Sequence, residues 1–273
     1  MTDQPTIFSV QSSVLHGFVG NETAAMIYPK LGLHLARLDS IKLPAHPGHQ
    51  SKAIRLSAKS LLSADDLARL IADLRKLPTI THLAALHSGY FADAAQAAAL
   101  ATELRALKQD RPALLYLLDP VLGDHGRFYV DKAIADAMRD NLLPLADIIT
   151  PNAFELATLT STEISSLDAA EAAARQLLNA GPSACLATGL LFDGQIYDLL
   201  VEKDKPALRL AATPQPQGAS GAGDCLAALF LGYHVTGLSP ADAARKASQI
   251  TQALIAAADD PRDLPLFSHQ HLI

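Results

Sequence analysis

The chain has 273 residues, of which 49% are hydrophobic and 18% charged, and this composition indicates a globular protein of one large domain with a sizeable core. A formal net charge of -6, with Lys and Arg scattered along the chain, argues against a protein that binds the phosphate backbone of a nucleic acid. The two cysteines lack metal-ligand spacing, and neither a signal peptide nor a membrane-spanning stretch is recognisable, so we expect a cytoplasmic protein with free thiols and no membrane partner.

The apolar pattern predicts strands and helices in alternation. In chain order, we expect a strand at 6–10, a helix at 22–31 capped by Asn21, a strand at 33–41, a loop or small β excursion at 42–57, a helix at 63–76 capped by Ser63, a strand at 82–87, a helix at 93–109, a strand at 114–118, a helix at 131–141, a strand at 146–149, helices at 153–159 and 167–180, a strand at 184–188 followed by a hairpin through Asp193-Gly194, and helices at 222–236 and 240–258. This order predicts a single α/β domain of three layers, in which helices cover both faces of a mostly parallel central sheet.

Polar clusters directly follow five of the predicted strands. They are Gln11-Ser12-Ser13, Ser88-Gly89-Tyr90, Asp119-Pro120-Val121-Leu122-Gly123-Asp124, Thr150-Pro151-Asn152 and Thr188-Gly189. Open parallel sheets bind their ligands beyond the carboxyl ends of the strands, where these clusters converge. One or two such clusters would mean little, because loops are generally polar, but five of them predict an active site at this edge.

A glycine-rich stretch, Gln217-Gly218-Ala219-Ser220-Gly221-Ala222-Gly223-Asp224, opens directly onto an apolar helix. The free N–H groups and the positive dipole end at a helix start suit an anion such as phosphate. A carboxylate beside that anion site is explained by a general base, so Asp224 is the candidate that takes a proton from an attacking hydroxyl. The alternative is a glycine-rich loop in which Asp224 only caps the helix.

On these residues the chain resembles the ribokinase superfamily, and within it the vitamin B6 (pyridoxal) kinases, over nearly its whole length. The resemblance is carried by Ser9-Val10-Gln11-Ser12-Ser13-Val14 with Gly17 and Gly20-Asn21, by Ser88-Gly89-Tyr90, by the run from Asp119 to Asp124, by Thr150-Pro151-Asn152-Ala153-Phe154-Glu155-Leu156, and by Gly221-Ala222-Gly223-Asp224. The two central runs also look like hydroxymethylpyrimidine kinases, whereas the first two motifs favour pyridoxal kinases.

The resemblance implies a role for each matching residue. Asp224 would be the base, and the N–H groups of Gly221, Ala222 and Gly223 would hold the transferring phosphoryl group. Asp119 and Glu155 would organise Mg²⁺, the second through water. The remaining expected contacts are Ser12, Ser40, His46 and Tyr90 to the vitamer, and Asp119, Asp124, Tyr129, Asn152, Thr188 and Gly189 to ATP, with residues 124–130 forming a flap over the nucleotide. A homodimer and a monovalent cation as a further ion are also implied.

Several of these residues have simpler explanations. Asp119 precedes a proline and suits a turn, and Glu155 could be a surface acid in the first turn of a helix, stabilised by the dipole. Ser12 could be a turn hydroxyl, His46 a solvated loop residue and Tyr90 a packing residue. Position 222 is Ala where the superfamily often has Thr, so one hydroxyl contact to phosphate is missing while the backbone N–H is kept.

Three functions remain open from the sequence. The first is ATP-dependent phosphorylation of the 5′-hydroxymethyl group of pyridoxal, and the second is a related kinase of hydroxymethylpyrimidine or another small primary alcohol. The third is a non-catalytic protein that binds B6 vitamers. The chain lacks a Walker A lysine motif, which excludes the P-loop kinases. The three acids Asp119, Glu155 and Asp224 argue against a silent binder, because without Mg²⁺ they would repel a phosphate.

Overall fold

A nine-stranded sheet organises the residues that the computed structural model describes, namely 4–49, 57–212, 219–260 and 262–273. The strands are β1 (Thr6–His16), β2 (His34–Ala45), β3 (Ser60–Leu61), β4 (Leu83–Ser88), β5 (Leu115–Leu118), β6 (Gly123–Asp124), β7 (Arg127–Phe128), β8 (Ile148–Ile149), β9 (Ala184–Phe192), β10 (Gln195–Glu202) and β11 (Leu208–Ala212). The helices are α1 (Asn21–Lys30), α2 (Ala64–Leu74), α3 (Ala94–Asp110), α4 (Lys132–Ala137), α5 (Ala153–Thr160), α6 (Leu167–Leu178), α7 (Ala222–Val235) and α8 (Pro240–Ala256).

The sheet has the order β11-β10-β9-β8-β5-β4-β1-β2-β3, while β6 and β7 form a separate hairpin. The pairs from β2 through β1, β4, β5 and β8 to β9 are parallel, and only the edge pairs with β3, β10 and β11 are antiparallel. The predicted three-layer, mostly parallel architecture is therefore confirmed. The short edge strands were not predicted, because a two-residue strand and a half-exposed edge carry little apolar pattern.

Alternate strand residues face two separate apolar layers. Phe8 and Val10 of β1 pack with α2 to α6 on one side, whereas Ile7 packs with α1, α7 and α8 on the other. Both faces of the inner strands are thus removed from water, which explains why the 114–118 segment is continuously apolar. Cys185 and Cys225 lie in these layers as buried free thiols. No helix within the described ranges combines the length and the apolar character that a bilayer crossing requires.

Capping and turn residues in the sequence correctly predicted one helix start and one hairpin turn. The Ser63 hydroxyl accepts the Asp66 N–H (3.0 Å), so the predicted cap of α2 is confirmed. The predicted hairpin between β9 and β10 turns through Asp193 and Gly194, both with positive φ.

Several predicted boundaries differ from the structure. β1 and β2 run on together to His16 and Ala45, beyond the predicted ends at 10 and 41, because their parallel backbone pairing continues through polar residues. The predicted helix at 131–141 is α-helical only in α4 and then changes to π and 3₁₀ turns that end at Leu145. Part of the predicted loop at 42–57 and the first two residues of the glycine-rich stretch, Gln217 and Gly218, lie outside the described residues.

Asn21 was predicted to cap α1, but this prediction is wrong. Gly20 occupies the N-cap position, and no side chain caps the helix there. The Asn21 side chain is buried instead. It accepts from the Ser9 hydroxyl (2.7 Å) and donates to the Leu38 carbonyl (3.0 Å) and to Asp39 Oδ1 (2.7 Å). Asn21 therefore fastens the start of α1 to β1 and β2, which fixes the loop that enters the candidate site.

Candidate active site at the carboxyl edge of the sheet

The register of the parallel strands brings the polar clusters to one edge. Val10, Ser88, Leu118, Ile149 and Cys185 form a row across five neighbouring strands. Gln11, Gly89, Asp119 and Thr150 follow that row directly, and backbone bonds such as Asp119 N–H to Ser88 O (2.8 Å) continue across it. The convergence expected from the sequence is therefore produced by strand register.

The start of α7 is built around Gly221. Gly221 is the N-cap residue with φ +85°, and a Cβ at this position would collide with the Phe18 carbonyl oxygen. Glycine therefore lets the helix start lie against the loop between β1 and α1. Among the described residues, the N–H groups of Gly221 and Gly223 have no acceptor, whereas the Ala222 N–H donates to the Ala219 carbonyl (3.2 Å). Two of the three predicted phosphate donors are thus available at the positive end of α7.

Gly221→Ala should destabilise the fold more than Gly32→Ala. Both positions have positive φ, +85° and +76°, which costs a non-glycine residue about 1–2 kcal/mol. Only the Gly221 variant adds a collision with backbone, because nothing lies within 4 Å of a Cβ at Gly32. Urea unfolding of the two variants measures the difference. Equal losses of unfolding free energy would show that the contact with Phe18 does not constrain the helix start.

Asp224 lies in the first turn of α7 and is not the cap residue, so the alternative that it only caps the helix is wrong. Its carboxylate accepts the backbone N–H of Gly20, from the loop between β1 and α1, as well as its own N–H. Burial raises the pKa of Asp224 from 3.8 to about 6, and these two bonds limit the rise. A carboxyl with such a pKa is ionised at neutral pH yet basic enough to accept a proton.

Asp119 and Glu155 are buried beside Asp224, with exposed fractions of 5% and 4%. Burial and then the charge of Asp224 raise the pKa of Asp119 well above its usual range, although Asp119 accepts the Thr150 hydroxyl (3.1 Å). Burial and then the charge of Asp119 raise the pKa of Glu155. Among the described residues, none of the groups that shift these three pKa values is a cation.

These carboxyls fit a hard divalent cation. Such an ion prefers oxygen ligands, and its charge would reverse the upward pKa shifts. Glu155 is already engaged, since Oε1 accepts the Leu122 N–H (3.0 Å) and Oε2 accepts the Asn152 N–H (2.9 Å). It completes a capping box with Asn152 in the first turn of α5, but it is buried, so the alternative of a surface acid beside the helix dipole is wrong. Asp119 is the freer candidate ligand, and Glu155 also holds the loop that follows β5.

The predicted nucleotide residues lie around α5 and the β6–β7 hairpin. Asn152 donates to the Gly123 carbonyl (2.8 Å) and caps α5, and it bridges to Thr188 of β9. The Gly189 N–H donates to Asp198 Oδ1 (3.0 Å), a buried acid that sequence reasoning missed. Asn152 and Gly189 thus have structural partners, and their contact with ATP stays a prediction.

The predicted flap is a short hairpin that turns through His125 and Gly126, with Phe128 and Tyr129 at its base. Asp124 ends β6, and Tyr129 follows β7 with 59% of its surface exposed. Burial, then the charges of Asp124 and Glu155, raise the pKa of Tyr129, which places this hairpin next to the buried acids. Phe128 packs edge-on against Phe154 of α5 (4.9 Å between ring centres) and fixes the hairpin on that helix.

The predicted vitamer residues lie on or just after β1, β2 and β4, whereas the predicted nucleotide residues lie on or just after β5, β8 and β9. Ser12 is half-buried, and its hydroxyl lies against Gly20, the residue whose N–H holds Asp224. Ser40 is fully buried and donates to the Tyr90 carbonyl (2.7 Å), so it positions the half-buried Tyr90. These three side chains border one region, and their contact with a substrate stays a prediction.

His46 is a buried residue, so the alternative of a solvated loop histidine is wrong. Its Nε2–H donates to the Arg262 carbonyl (2.5 Å) and its Nδ1 accepts the Gly48 N–H (3.1 Å). Burial lowers the pKa of His46, and these two bonds define a neutral ring. Sequence reasoning placed Thr150 in a polar cluster but gave it no role, whereas in the structure its hydroxyl donates to Asp119 Oδ1 (3.1 Å).

Comparison with known proteins is consistent with this geometry. The model of the phosphomethylpyrimidine kinase family matches residues 68–263. A pyridoxal kinase from Rubrobacter xylanophilus is 32% identical over 238 residues, covering 85% of this chain and 80% of its own, and a pyridoxine/pyridoxal/pyridoxamine kinase from Bordetella pertussis is 31% identical over 257 residues, covering 91% and 88%. The chain belongs to the pyridoxal kinases of the ribokinase superfamily.

The solved pyridoxal kinases share the fold. That from Entamoeba histolytica has a TM-score of 0.92 at 23% identity, covering 98% of this chain and 95% of its own. That from Leishmania donovani, in complex with ADP and pyridoxamine, has a TM-score of 0.89 at 24% identity, covering 98% and 96%. The resemblance inferred from the sequence motifs is therefore confirmed for the family and the fold.

Proposed function

We propose that this member of the pyridoxal kinase family transfers the γ-phosphoryl group of ATP to the 5′-hydroxymethyl group of pyridoxal and its related vitamers. The observation that carries the proposal is Asp224, a carboxyl with a pKa of about 6 at the N-terminus of a glycine-started helix. Phosphoryl transfer asks the protein mainly for position and countercharge, and this corner supplies a base and N–H donors together.

In the proposed reaction, Asp224 accepts the proton of the hydroxymethyl group while the oxygen of that hydroxymethyl group bonds to the γ-phosphorus. The bond from that phosphorus to the bridging oxygen breaks, and ADP leaves with the electron pair. The N–H groups of Gly221 and Gly223 stabilise the charge on the transferring oxygens. A Mg²⁺ ion held by Asp119, and by Glu155 through water, would supply countercharge to the phosphates.

The remaining assignments rest on the family resemblance. We place Ser12, Ser40, His46 and Tyr90 at the vitamer ring, and residues 124–130 over the nucleotide. A homodimer in the cytoplasm is part of the same proposal. The printed family name, phosphomethylpyrimidine kinase, keeps hydroxymethylpyrimidine as the second candidate substrate.

A coupled assay of ADP release tests the substrate assignment. Purified protein with ATP and Mg²⁺ should turn over pyridoxal, pyridoxine or pyridoxamine with a larger kcat/KM than hydroxymethylpyrimidine. The same assay without an acceptor measures background hydrolysis of ATP and serves as the control. Comparable or faster turnover of hydroxymethylpyrimidine would overturn the pyridoxal assignment. ADP release that no acceptor stimulates would favour a non-catalytic vitamer-binding protein.

A further inference from the structure

Three potential metal ligands meet on the surface next to His46, one of the residues proposed for the vitamer site. His16 ends β1, His49 ends the 3₁₀ turn after β2, and Asp263 belongs to the segment after α8. Each offers one ligand atom, and the three atoms lie within 4.8 Å of one another. A zinc-class ion binds nitrogen and oxygen ligands at about 2.0–2.2 Å, so small side-chain rotations would bring all three onto one ion. We call this group the His16–His49–Asp263 cluster.

The carboxylate of the cluster is already oriented by the protein. Asp263 Oδ1 accepts the Phe18 N–H (3.2 Å), while Oδ2 faces His49 Nε2 at 2.8 Å. Gly17 has φ +100°, and a side chain there would collide with the Asp263 carboxylate. The absence of a side chain at Gly17 leaves room for the Asp263 carboxylate, and the Phe18 N–H orients it so that Oδ2 faces His49. Metal ligands in proteins are commonly oriented by such hydrogen bonds from neighbouring groups.

One imidazole of the cluster, that of His49, packs against a third histidine. The His49 ring lies 4.5 Å from the His46 ring and 5.3 Å from the His16 ring, measured between ring centres and both edge-on. His46 itself cannot ligate in this arrangement, since backbone groups occupy both of its nitrogens. It therefore supports the ring of His49, whereas His16 is exposed and free to turn toward an ion.

The surroundings of the cluster favour a cation. His16 and Asp263 line a groove of about 560 Å³ that also contains Glu22, Asp259 and Asp260. Arg37 lies 3.4 Å from Glu22, and Arg262 pairs with Asp260 and is also close enough to interact with the charge of Asp263, whereas Asp259 has no arginine within ion-pair distance among the described residues. The acidic lining lowers the electrostatic cost of bringing a divalent ion to the groove.

We propose that the His16–His49–Asp263 cluster binds a divalent transition metal of the zinc class. Two imidazoles and one carboxylate suit such an ion better than Mg²⁺, which prefers oxygen ligands only. On binding, His49 moves its proton from Nε2 to Nδ1 so that Nε2 can bind the metal. Three protein ligands leave a fourth position for water.

The site would join the loop after β1 to the C-terminal segment. That loop follows His16, its Phe18 carbonyl lies against Gly221, and its Gly20 N–H stabilises the charge of Asp224. An ion at the cluster therefore fixes the backbone that positions the proposed base without contacting the reacting groups. The binding proposal does not depend on the kinase assignment, because it concerns only these three side chains.

Metal binding to untagged, full-length protein tests the proposal. Titration with Zn²⁺ in a calorimeter, with Mg²⁺ in excess, should give one equivalent of bound zinc. Co²⁺ should add the visible absorption of a four-coordinate nitrogen and oxygen site. His16→Ala, His49→Ala and Asp263→Asn should each weaken Zn²⁺ binding by about tenfold or more. The Asn side chain can still accept the Phe18 N–H, so folding is preserved in that variant.

Two variants separate this site from other metal-binding groups. His82 is an exposed histidine that directly precedes β4 at the opposite edge of the sheet, and His82→Ala should leave Zn²⁺ affinity unchanged. Asp119→Asn, in the proposed magnesium site, should also leave it unchanged. A triple variant that combines His16→Ala, His49→Ala and Asp263→Asn serves as the reference without a site. The proposal is overturned if wild type binds Zn²⁺ no more tightly than this triple variant, or if His82→Ala weakens binding as much as His49→Ala.

Discussion

Asp224→Asn should lower kcat by roughly 10²–10⁴-fold, the range that a positioned general base contributes. Asn keeps an oxygen that can accept the Gly20 N–H, but it cannot take the proton of the hydroxymethyl group. Nucleotide affinity should change little, because the base acts in the transition state. Steady-state kinetics and an independent measurement of ADP binding check both statements. An unchanged kcat would remove Asp224 from the proposed role.

The folding stability of this variant separates lost chemistry from lost structure. The folded-state pKa of Asp224, about 6, lies above its usual value of 3.8, so the folded state binds the proton more tightly than the unfolded state. The contribution of Asp224 to stability is therefore lost as pH rises through about 6, and at pH 7.5 the buried charge is unfavourable. Asp224→Asn should unfold at pH 7.5 at a temperature no lower than wild type. A large drop would attribute the lost activity to misfolding.

The same carboxyl predicts the acid limb of the pH profile. Because only ionised Asp224 can accept a proton, kcat/KM of wild type should fall as pH drops through about 6. The residual activity of Asp224→Asn should lack this limb. An acid limb that persists unchanged in the variant would assign it to another group.

Removal of divalent cations should abolish ATP turnover, and added Mg²⁺ should restore it. The physical reason is the accumulation of negative charge at the edge of the sheet, where the buried Asp119 and Glu155 lie near the half-buried Asp224 and would repel the phosphates of ATP. A chelator titration in the ADP-release assay measures the loss. Activity that persists in excess chelator would contradict the magnesium proposal.

Substitution of Asp119, compared with a control substitution in α5, tests whether this carboxyl binds Mg²⁺. Asp119→Asn should raise the Mg²⁺ concentration needed for half-maximal activity, since Asp119 has an acceptor oxygen not engaged with backbone. Thr158→Ala in α5 is a control, because its hydroxyl only bonds the Phe154 carbonyl (2.7 Å) one turn earlier in the helix. If the control shifts the magnesium requirement as much as Asp119→Asn, the effect comes from general disturbance of this edge.

Sequence patterns were most informative where the determinants are close along the chain. The cap at Ser63, the turn at Asp193-Gly194 and the glycine start of α7 each depend on a few neighbouring residues, so their chemistry is visible in the sequence. The continuously apolar segment at 114–118 likewise indicated a strand buried on both faces of the sheet. The family followed from motifs at strand ends, and the comparisons confirmed it.

Tertiary structure decided the roles of residues that looked local. Asn21 was predicted as a cap from its position before an apolar helix, yet its side chain joins β1 and β2, which are adjacent only in the fold. Glu155 and Asn152 form a cap that also holds the loop after β5. No local pattern encodes such partners, because the residues that meet are far apart in sequence.

The sequence by itself thus determined the layer architecture, the glycine-rich helix start and the acids that converge on it. Only the folded chain determined that Gly20 holds Asp224, that burial raises the pKa of Asp224 to about 6, and that His16, His49 and Asp263 share one corner. Periodicity and capping arise from neighbours within a turn or two, and a sequence displays them. Desolvation and ligand geometry arise from everything packed around a group, which exists only after the strands and helices assemble.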